Sequence, residues 1–519
     1  ACGVAAARVP PGEHTRLAGL LRDGRFDRLV HLGALAVDGD RPSDAAMLTE
    51  QVLGVLRVLD RQPEAAPVLH IATRRAVLAG EGDTGNAAQA VLWGLGRTVA
   101  LEHPERWGGL LDLDDGGVGR WASALVAEWA GGGSGGQACL RGGQRLVPRL
   151  RSCAPAAVPP SAVVDDGRAH LVVGGTGRLG PHVLDALIDE GARCLVVASR
   201  SGTAPVPPRP DRGAVRVVGV PVDIRDREAV RTLFGRFGAD LPPLGTVVHA
   251  AFAQSIAPLS RVDAATVAEM HEVKIAGLAL LHELAAAHGA REVVCLSSTT
   301  GLFGSVGLGH YAAASCYLDV FAGNRTGGPT PVRALLLGPC ADGLAGTPEA
   351  EHVIRSGFRL MDGARAVATG MRARDVVRPP VVVDADWARL GLALATATES
   401  PLLRDVGPPD PGSAAEIPPP PPSDPGTDPA RVLREEIRRL VAEAMGVAED
   451  AIGVQQNLFT LGMDSLMSLA VVRGIRTALG HELHPRDIRD NPTVAALAEH
   501  VARGAAGPAG APRDRRPTT

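Results

Sequence analysis

Near-continuous apolar runs of strand length, each followed by a segment with helical apolar spacing, predict an α/β fold over most of this 519-residue chain. Two Pro-rich breaks divide it into three blocks, and the last block shows helical spacing alone. The length exceeds what one hydrophobic core supports, so several domains are expected.

The first block, residues 1–150, carries the strand-like runs FDRLVHLGAL, APVLHIATRR and WGGLLDL, separated by amphipathic segments such as AMLTEQVLGVLRVLDR. That alternation reads as α/β. Its GLGR at 94–97 follows VLW without a strand and turn before it, so no nucleotide loop is expected there. A Pro/Ala-rich linker follows at 151–164. The second block, 165–400, alternates strand and helix more strongly, through HLVVGG, CLVVASR, VRVVGVPVD, TVVHAA, VVCLSS, VRALLLG and PPVVVDAD. Apolarity on both strand faces implies a parallel, doubly wound sheet covered on both sides. Residues 401–430 contain a five-proline run and read as a semi-rigid polyproline tether. The third block, 431–503, is short and helical in VLREEIRRLVAEAM and SLMSLAVVRGI. Residues 504–519 are expected to be disordered.

The formal net charge of −4 gives no electrostatic reason to expect nucleic acid or an anionic membrane as partner. Seven scattered cysteines form no CxxC or Cys/His cluster, so neither a disulfide framework nor a metal site is expected, and a cytoplasmic protein with reduced thiols is. No apolar run reaches membrane-helix length and no signal peptide is visible. The chain begins with Ala1 in mid-pattern, so it is expected to be a piece of something longer.

Strand HLVV (170–173) runs directly into GGTGRLG (174–180) and then into a helix-like PHVLDALIDEG. Gly174, Gly177 and Gly180 at such a turn let backbone approach a pyrophosphate, while the helix start supplies free N–H groups. The second strand ends in Ser199-Arg200, where a carboxylate would select NAD and an arginine complements a 2′-phosphate, so NADPH is favoured. Asp223 ends the third strand, in position to meet an adenine amino group. After VVCLSS, Ser298 and Tyr311 are spaced to face one substrate carbonyl.

SSTTGLFGSVGLGHYAAASCYLD resembles the catalytic stretch of polyketide synthase ketoreductases, members of the short-chain dehydrogenase superfamily. EMHEVKIAGLALLHEL resembles their lysine-bearing helix, and VLWGLGRTVALEHPERWGGLLDLD their cofactor-free structural subdomain. NLFTLGMDSLMSLAVV, with DNPTVAALAEHV downstream, resembles the acyl carrier protein signature. The likeness covers nearly the whole chain in consistent order. It implies two Rossmann-like subdomains, structural and catalytic, followed by a small four-helix-bundle carrier domain.

The resemblance also implies roles. Tyr311 would protonate the carbonyl oxygen, Ser298 would hydrogen-bond it, and Lys274 would lower the phenol pKa and contact the nicotinamide ribose. Ser315 stands where the family has asparagine. The NADPH contacts would come from Gly174, Gly175, Thr176, Gly177, Arg178, Leu179, Gly180, Ser199, Arg200, Asp223, Ile224, Ala250 and Ala251. Ser465, after Asp464 at a helix start, would carry 4′-phosphopantetheine installed by a phosphopantetheinyl transferase. The substrate would be an acyl thioester, with ketosynthase and acyltransferase domains supplied in cis or by another chain.

Several positions depart from the family. Phe252 replaces the glycine after HAA, and Leu337 and Cys340 replace tryptophans near the sixth strand. The stereochemical markers are replaced by Gln254, Ser255-Ile256 and Phe303, so no configuration is assigned to the alcohol. These departures motivate an alternative, a reductively silent scaffold, with or without epimerising activity, beside a working carrier. A sugar-nucleotide dehydrogenase fits the glycine turn but leaves the carrier block unexplained.

Overall fold

The computed structural model describes the chain apart from residues 1–5, 25, 63–66, 81, 131–135, 154–166, 205–213, 254, 374–378, 396–400, 407–428, 446, 460, 462, 464, 482, 484–486, 489–490 and 506–519. Most of both expected linkers, Gln254 and Asp464 therefore lie outside the described residues. The chain divides into two compact units, 1–386 with 397–406, and 387–396 with 407–519.

The first unit holds two sheets. In the smaller, β1 (Arg28–His31), β2 (Val68–Arg74), β3 (Trp107–Leu113) and β4 (Gln137–Arg141) run parallel, and β5 (Gln144–Leu146) closes the edge as an antiparallel hairpin. Around it lie α1 (His14–Asp23), α2 (Pro42–Leu59), α3 (Ala87–Glu102) and α4 (Val118–Ala130). The GLGR segment lies inside α3, with no strand-to-helix turn before it. Asn86 caps that helix, its side chain accepting from Gln89 N at 3.0 Å.

The larger sheet has seven parallel strands: β6 (Ala169–Val173), β7 (Cys194–Ser199), β8 (Arg216–Pro221), β9 (Leu244–His249), β10 (Glu292–Ser298), β11 (Val332–Leu337) and β12 (Val381–Val382). Their spatial order, β12-β11-β10-β9-β6-β7-β8, is doubly wound, and the winding direction reverses between β6 and β9. β6, β7 and β9 are buried along their whole lengths, which is why they read as unbroken apolar runs. One face carries α5 (Gly180–Asp189). The other carries α6 (Arg227–Phe234), α7 (Ala264–Met270), a π turn (His271–Ala276), α8 (Gly277–Ala287), the short α9 (Thr300–Phe303) and α10 (Gly309–Gly323). Beyond them come α11 (Pro348–Arg355) and, back on the α5 side, α12 (Gly363–Arg372).

The two sheets share one core. Buried residues of α2, α3, β9, α8 and α10 form a single apolar cluster. Its centre is the α3–α10 crossing, where a Cβ on Gly94 would lie 2.1 Å from the Ala312 carbonyl oxygen. Backbone meets backbone there, so α3 is buried nearly all round and lacks a polar face.

In the second unit, α14 (Pro429–Met445), α15 (Ser465–Leu479) and α16 (Val494–Ala505) enclose a core that includes Ile437, Val441, Leu458, Val471, Ile475 and Val501. α13 (Trp387–Ala395) groups with this unit. α14 begins at Pro429, since proline suits a first helical position where no N–H is needed. α16 continues through Ala505, past the point expected to be disordered.

Candidate active site

The glycine turn leaves β6 at the point where winding reverses. Gly174 has φ of +84°, and a Cβ there would lie 2.5 Å from Ala251 N. Only glycine lets this turn approach the end of β9, where Ala250 N donates to Val173 O at 2.8 Å. A Cβ on Gly180 would lie 2.1 Å from Gly175 O, so the start of α5 is pressed against the turn. Gly175 and Gly180 are buried, Leu179 is half-buried, and Thr176, Gly177 and Arg178 stand exposed on the rim. This is a backbone cradle of the kind a pyrophosphate occupies, and the residues present fit a dinucleotide.

Ser199 ends β7 buried, with Arg200 exposed beside it. Asp223 lies past β8, and Arg225 grips its carboxylate, with Nη2 2.6 Å from Oδ2 and Nε 3.0 Å from Oδ1. That pairing holds the Asp223 carboxyl below its ordinary range. Ile224 is buried and faces Gly277.

The reacting groups gather on three elements. Ser298 ends β10, its Oγ accepting from Thr300 N at 3.2 Å. Tyr311 lies in the first turn of α10, and Ser315 follows one turn later with its Oγ donating to Tyr311 O at 2.9 Å. Lys274 comes from the π turn. This wide turn interrupts the α7–α8 helix and aims Lys274 inward, with Nζ donating to Leu296 O at 2.8 Å and lying 5.7 Å from the Tyr311 ring centroid. His249, fully buried at the end of β9, donates from Nε2 to Lys274 O at 3.2 Å and braces that turn.

Burial sets the electrostatics here. It pushes the Lys274 ammonium down to about 8, against the opposing pull of Cys295 and Asp319. It also raises the Tyr311 phenol, while hydrogen bonds with the Ser298 and Ser315 hydroxyls draw it back down. The sequence-based expectation of a lowered phenol pKa is thus corrected. Removal from water outweighs the hydroxyls. Asp319, one turn beyond Ser315, is raised to about 7 by burial, with a hydrogen bond from Ser297 opposing.

Phe252 stands at the mouth. Its ring packs edge-on against Tyr311, centroids 5.0 Å apart and planes at 77°, while nearly half of its surface stays exposed. Ser255 is half-buried and Ile256 exposed on the same loop. Phe303 is buried against Phe358, with ring centroids 5.5 Å apart. Leu337 is buried and Cys340 half-buried beyond β11.

These features agree with the comparisons to known proteins. Residues 5–150 match the Rossmann fold domain of polyketide synthase extender module SpnB, 168–342 the KR domain, and 435–501 the phosphopantetheine attachment site. A solved A1-type ketoreductase is similar at TM-score 0.65 and 31% identity, over 76% of this chain and 85% of that one. The chain belongs to the modular polyketide synthase ketoreductases. A C2-type ketoreductase from a modular polyketide synthase is similar at TM-score 0.67 and 27% identity, over 78% of this chain and 90% of that one. A phenolphthiocerol/phthiocerol polyketide synthase component from Mycobacterium bovis is 36% identical over 84% of the chain, which spans 29% of that relative. Erythronolide synthase EryA3 of Saccharopolyspora erythraea is 32% identical over 96% of the chain, which spans 15% of it. The chain therefore spans less than a third of these curated relatives.

The ketoreductase cofactor is NADPH, and that of the attached carrier domain is 4′-phosphopantetheine. In the carrier, α15 begins at Ser465, behind a loop whose Leu458 and Met463 are buried in the small core. Among the described residues no helix is long and apolar enough to cross a membrane, and no group of acidic, His or Cys side chains could hold a metal ion. Sequence reasoning missed His249 and Asp319. His249 was legible only as the first letter of HAA, and Asp319 only by its spacing of eight from Tyr311.

Proposed function

We propose that this chain reduces a β-ketoacyl thioester, held on phosphopantetheine at Ser465, to the β-hydroxy thioester with NADPH. The observation that carries this reading is the meeting of Tyr311, Ser298, Ser315 and Lys274 beside the glycine turn. NADPH, when bound, supplies the hydride. Tyr311 gives its proton to the carbonyl oxygen as negative charge develops there, and Ser298 donates a hydrogen bond to the same oxygen. Lys274 contributes a positive charge next to the phenol, and Ser315 lies one turn along to pass a proton inward. Thr176, Gly177 and Arg178 offer their backbone to the pyrophosphate, Arg200 takes the 2′-phosphate, and Asp223 and Ile224 border the adenine.

In this reading the domains run 1–150, 165–400 and 431–503, joined by tethers at 151–164 and 401–430. A tether of that composition holds the loaded arm at high local concentration near the reductase. A phosphopantetheinyl transferase primes Ser465, ketosynthase and acyltransferase activities come from elsewhere in the synthase, and the site of action is the cytoplasm.

The test is NADPH oxidation by the full chain with a β-ketoacyl thioester. Wild type turns over, and Tyr311→Phe loses at least about 100-fold while still binding NADPH. A wild type that binds NADPH without ever oxidising it ends the reductase reading. One observation favours a second reading: the partly exposed Phe252 ring packs edge-on against Tyr311. A silent reductase would load Ser465 normally without NADPH oxidation, and deuterium uptake at the substrate α-carbon would set an epimerising form apart from a plain scaffold.

A further inference from the structure

α3 belongs to the subdomain without a nucleotide turn, yet its last residue reaches the site. Glu102 accepts two backbone hydrogen bonds, Leu259 N to Oε2 and Gly307 N to Oε1, each 2.7 Å. The donors belong to different loops. Leu259 lies on the segment that leaves β9 through Phe252, and Gly307 on the segment that enters α10 four residues before Tyr311. The loops also bind one another, Ala257 N donating to Gly307 O at 2.9 Å. Leu259 is fully buried, and a Cβ on Gly309 would lie 2.4 Å from its Cδ2, so Leu259 packs directly beneath the backbone that carries Tyr311. The rest of α3's inner face continues the contact. Thr98 Oγ1 accepts from Ser305 N at 3.5 Å, and a Cβ on Gly304 would lie 2.7 Å from Arg97 O.

We propose that Glu102 is a positioning residue for reduction: its carboxylate clamps the loop bearing Phe252 to the loop preceding Tyr311 and so fixes the substrate-side wall of the site. A carboxylate suits this work because its two oxygens accept from two separate donors at once, and each bond carries charge. Partial burial raises the Glu102 carboxyl, and the two N–H bonds oppose that rise. The smaller subdomain then contributes to catalysis without touching substrate or cofactor.

The kinetic part rests on the reduction reading; the exchange part does not. In the full chain, Glu102→Ala leaves two amides without their acceptor. Hydrogen exchange in peptides covering 255–263 and 304–310 should rise about tenfold, with exchange around 174–180 unchanged. kcat with a β-ketoacyl thioester should fall about tenfold, while the Kd for NADPH stays within about twofold. Glu102→Gln retains one carbonyl oxygen but sets an NH2 against the other donor. It should lose protection in one loop only and about threefold in kcat, and it remains the deciding variant if alanine fails to fold. Unchanged exchange in both loops, or a rise spread evenly over the whole unit, overturns the clamp. So does loosening of both loops without any change in kcat. If wild type proves unable to reduce, the function reading falls, and localised exchange in the two loops still decides the clamp.

Discussion

At the C-terminal ends of β2, β3 and β4 the chain packs Arg75, Asp83, Asp112 and Arg141 into one ion network; at the end of β6 it leaves bare backbone. Asp112 is fully buried and accepts from Thr73 Oγ1 at 2.6 Å, Ala76 N at 2.7 Å and Arg141 Nη2 at 2.7 Å. Arg75, with φ of 54°, reaches Asp83 and Asp115. Parallel sheets offer a crevice at these strand ends, and what stands there decides its use. In the smaller sheet side chains fill the crevice with their own charges. In the larger one, glycines keep side chains out of it. Two sheets of similar plan thereby divide the labour, one holding a ligand and the other holding the holder.

The comparison is broken most severely at Asp112. Asp112→Ala takes the nearer carboxylate from Arg141, which keeps Asp83, and removes the acceptor of Ala76 N and Val77 N, so it should cost about 3 kcal/mol in chemical unfolding. NADPH affinity of the protein that remains folded should not change. Next comes a matched pair of glycines. Gly174→Ala adds a left-handed strain and a backbone clash, so NADPH binding, followed by nicotinamide fluorescence, should weaken about 100-fold. Gly33→Ala, just after β1, meets the tip of Gln51, a flexible side chain, and more distantly the buried His31 ring at 3.1 Å, and should cost about 1 kcal/mol.

A third test uses pH. With Lys274 pushed down to about 8, kcat/KM for reduction should fall above that pH by about tenfold per unit. Between about 8 and its ordinary 10.5 the unfolded chain holds a proton that the folded chain has released. Lys274's contribution to stability therefore grows with pH across that interval. The smallest effect belongs to Phe252→Gly. Clearing the ring from Tyr311 should raise kcat/KM about threefold. A fall in rate would mean that the ring helps to seat the substrate.

Local pattern made much of this legible. HLVV running into GGTGRLG announced the cradle, because strand, turn and helix start are contiguous in the chain. The seven apolar runs became seven parallel strands; burial on both faces marks every residue of β6, β7 and β9, while the edge strands β8 and β12 are partly exposed. What stayed hidden depends on distant segments meeting. Nothing in HEVKIA marks a π turn, which is braced by His249 from the end of β9. Asp112 and Arg141 look like ordinary strand charges until β3 and β4 pair. The raised phenol pKa followed from enclosure, which residue types near Tyr311 do not express. Glu102 reads as one more acid at a helix end.

The near-contact of Gly94 with the Ala312–Ala313 backbone bears on how such synthases are recombined. A junction placed between the two sheets would bring together helices that never co-evolved, and one methyl group at that crossing is enough to push them apart. Grafts that transplant the reductase should carry everything from β1 to β12 as one indivisible cassette.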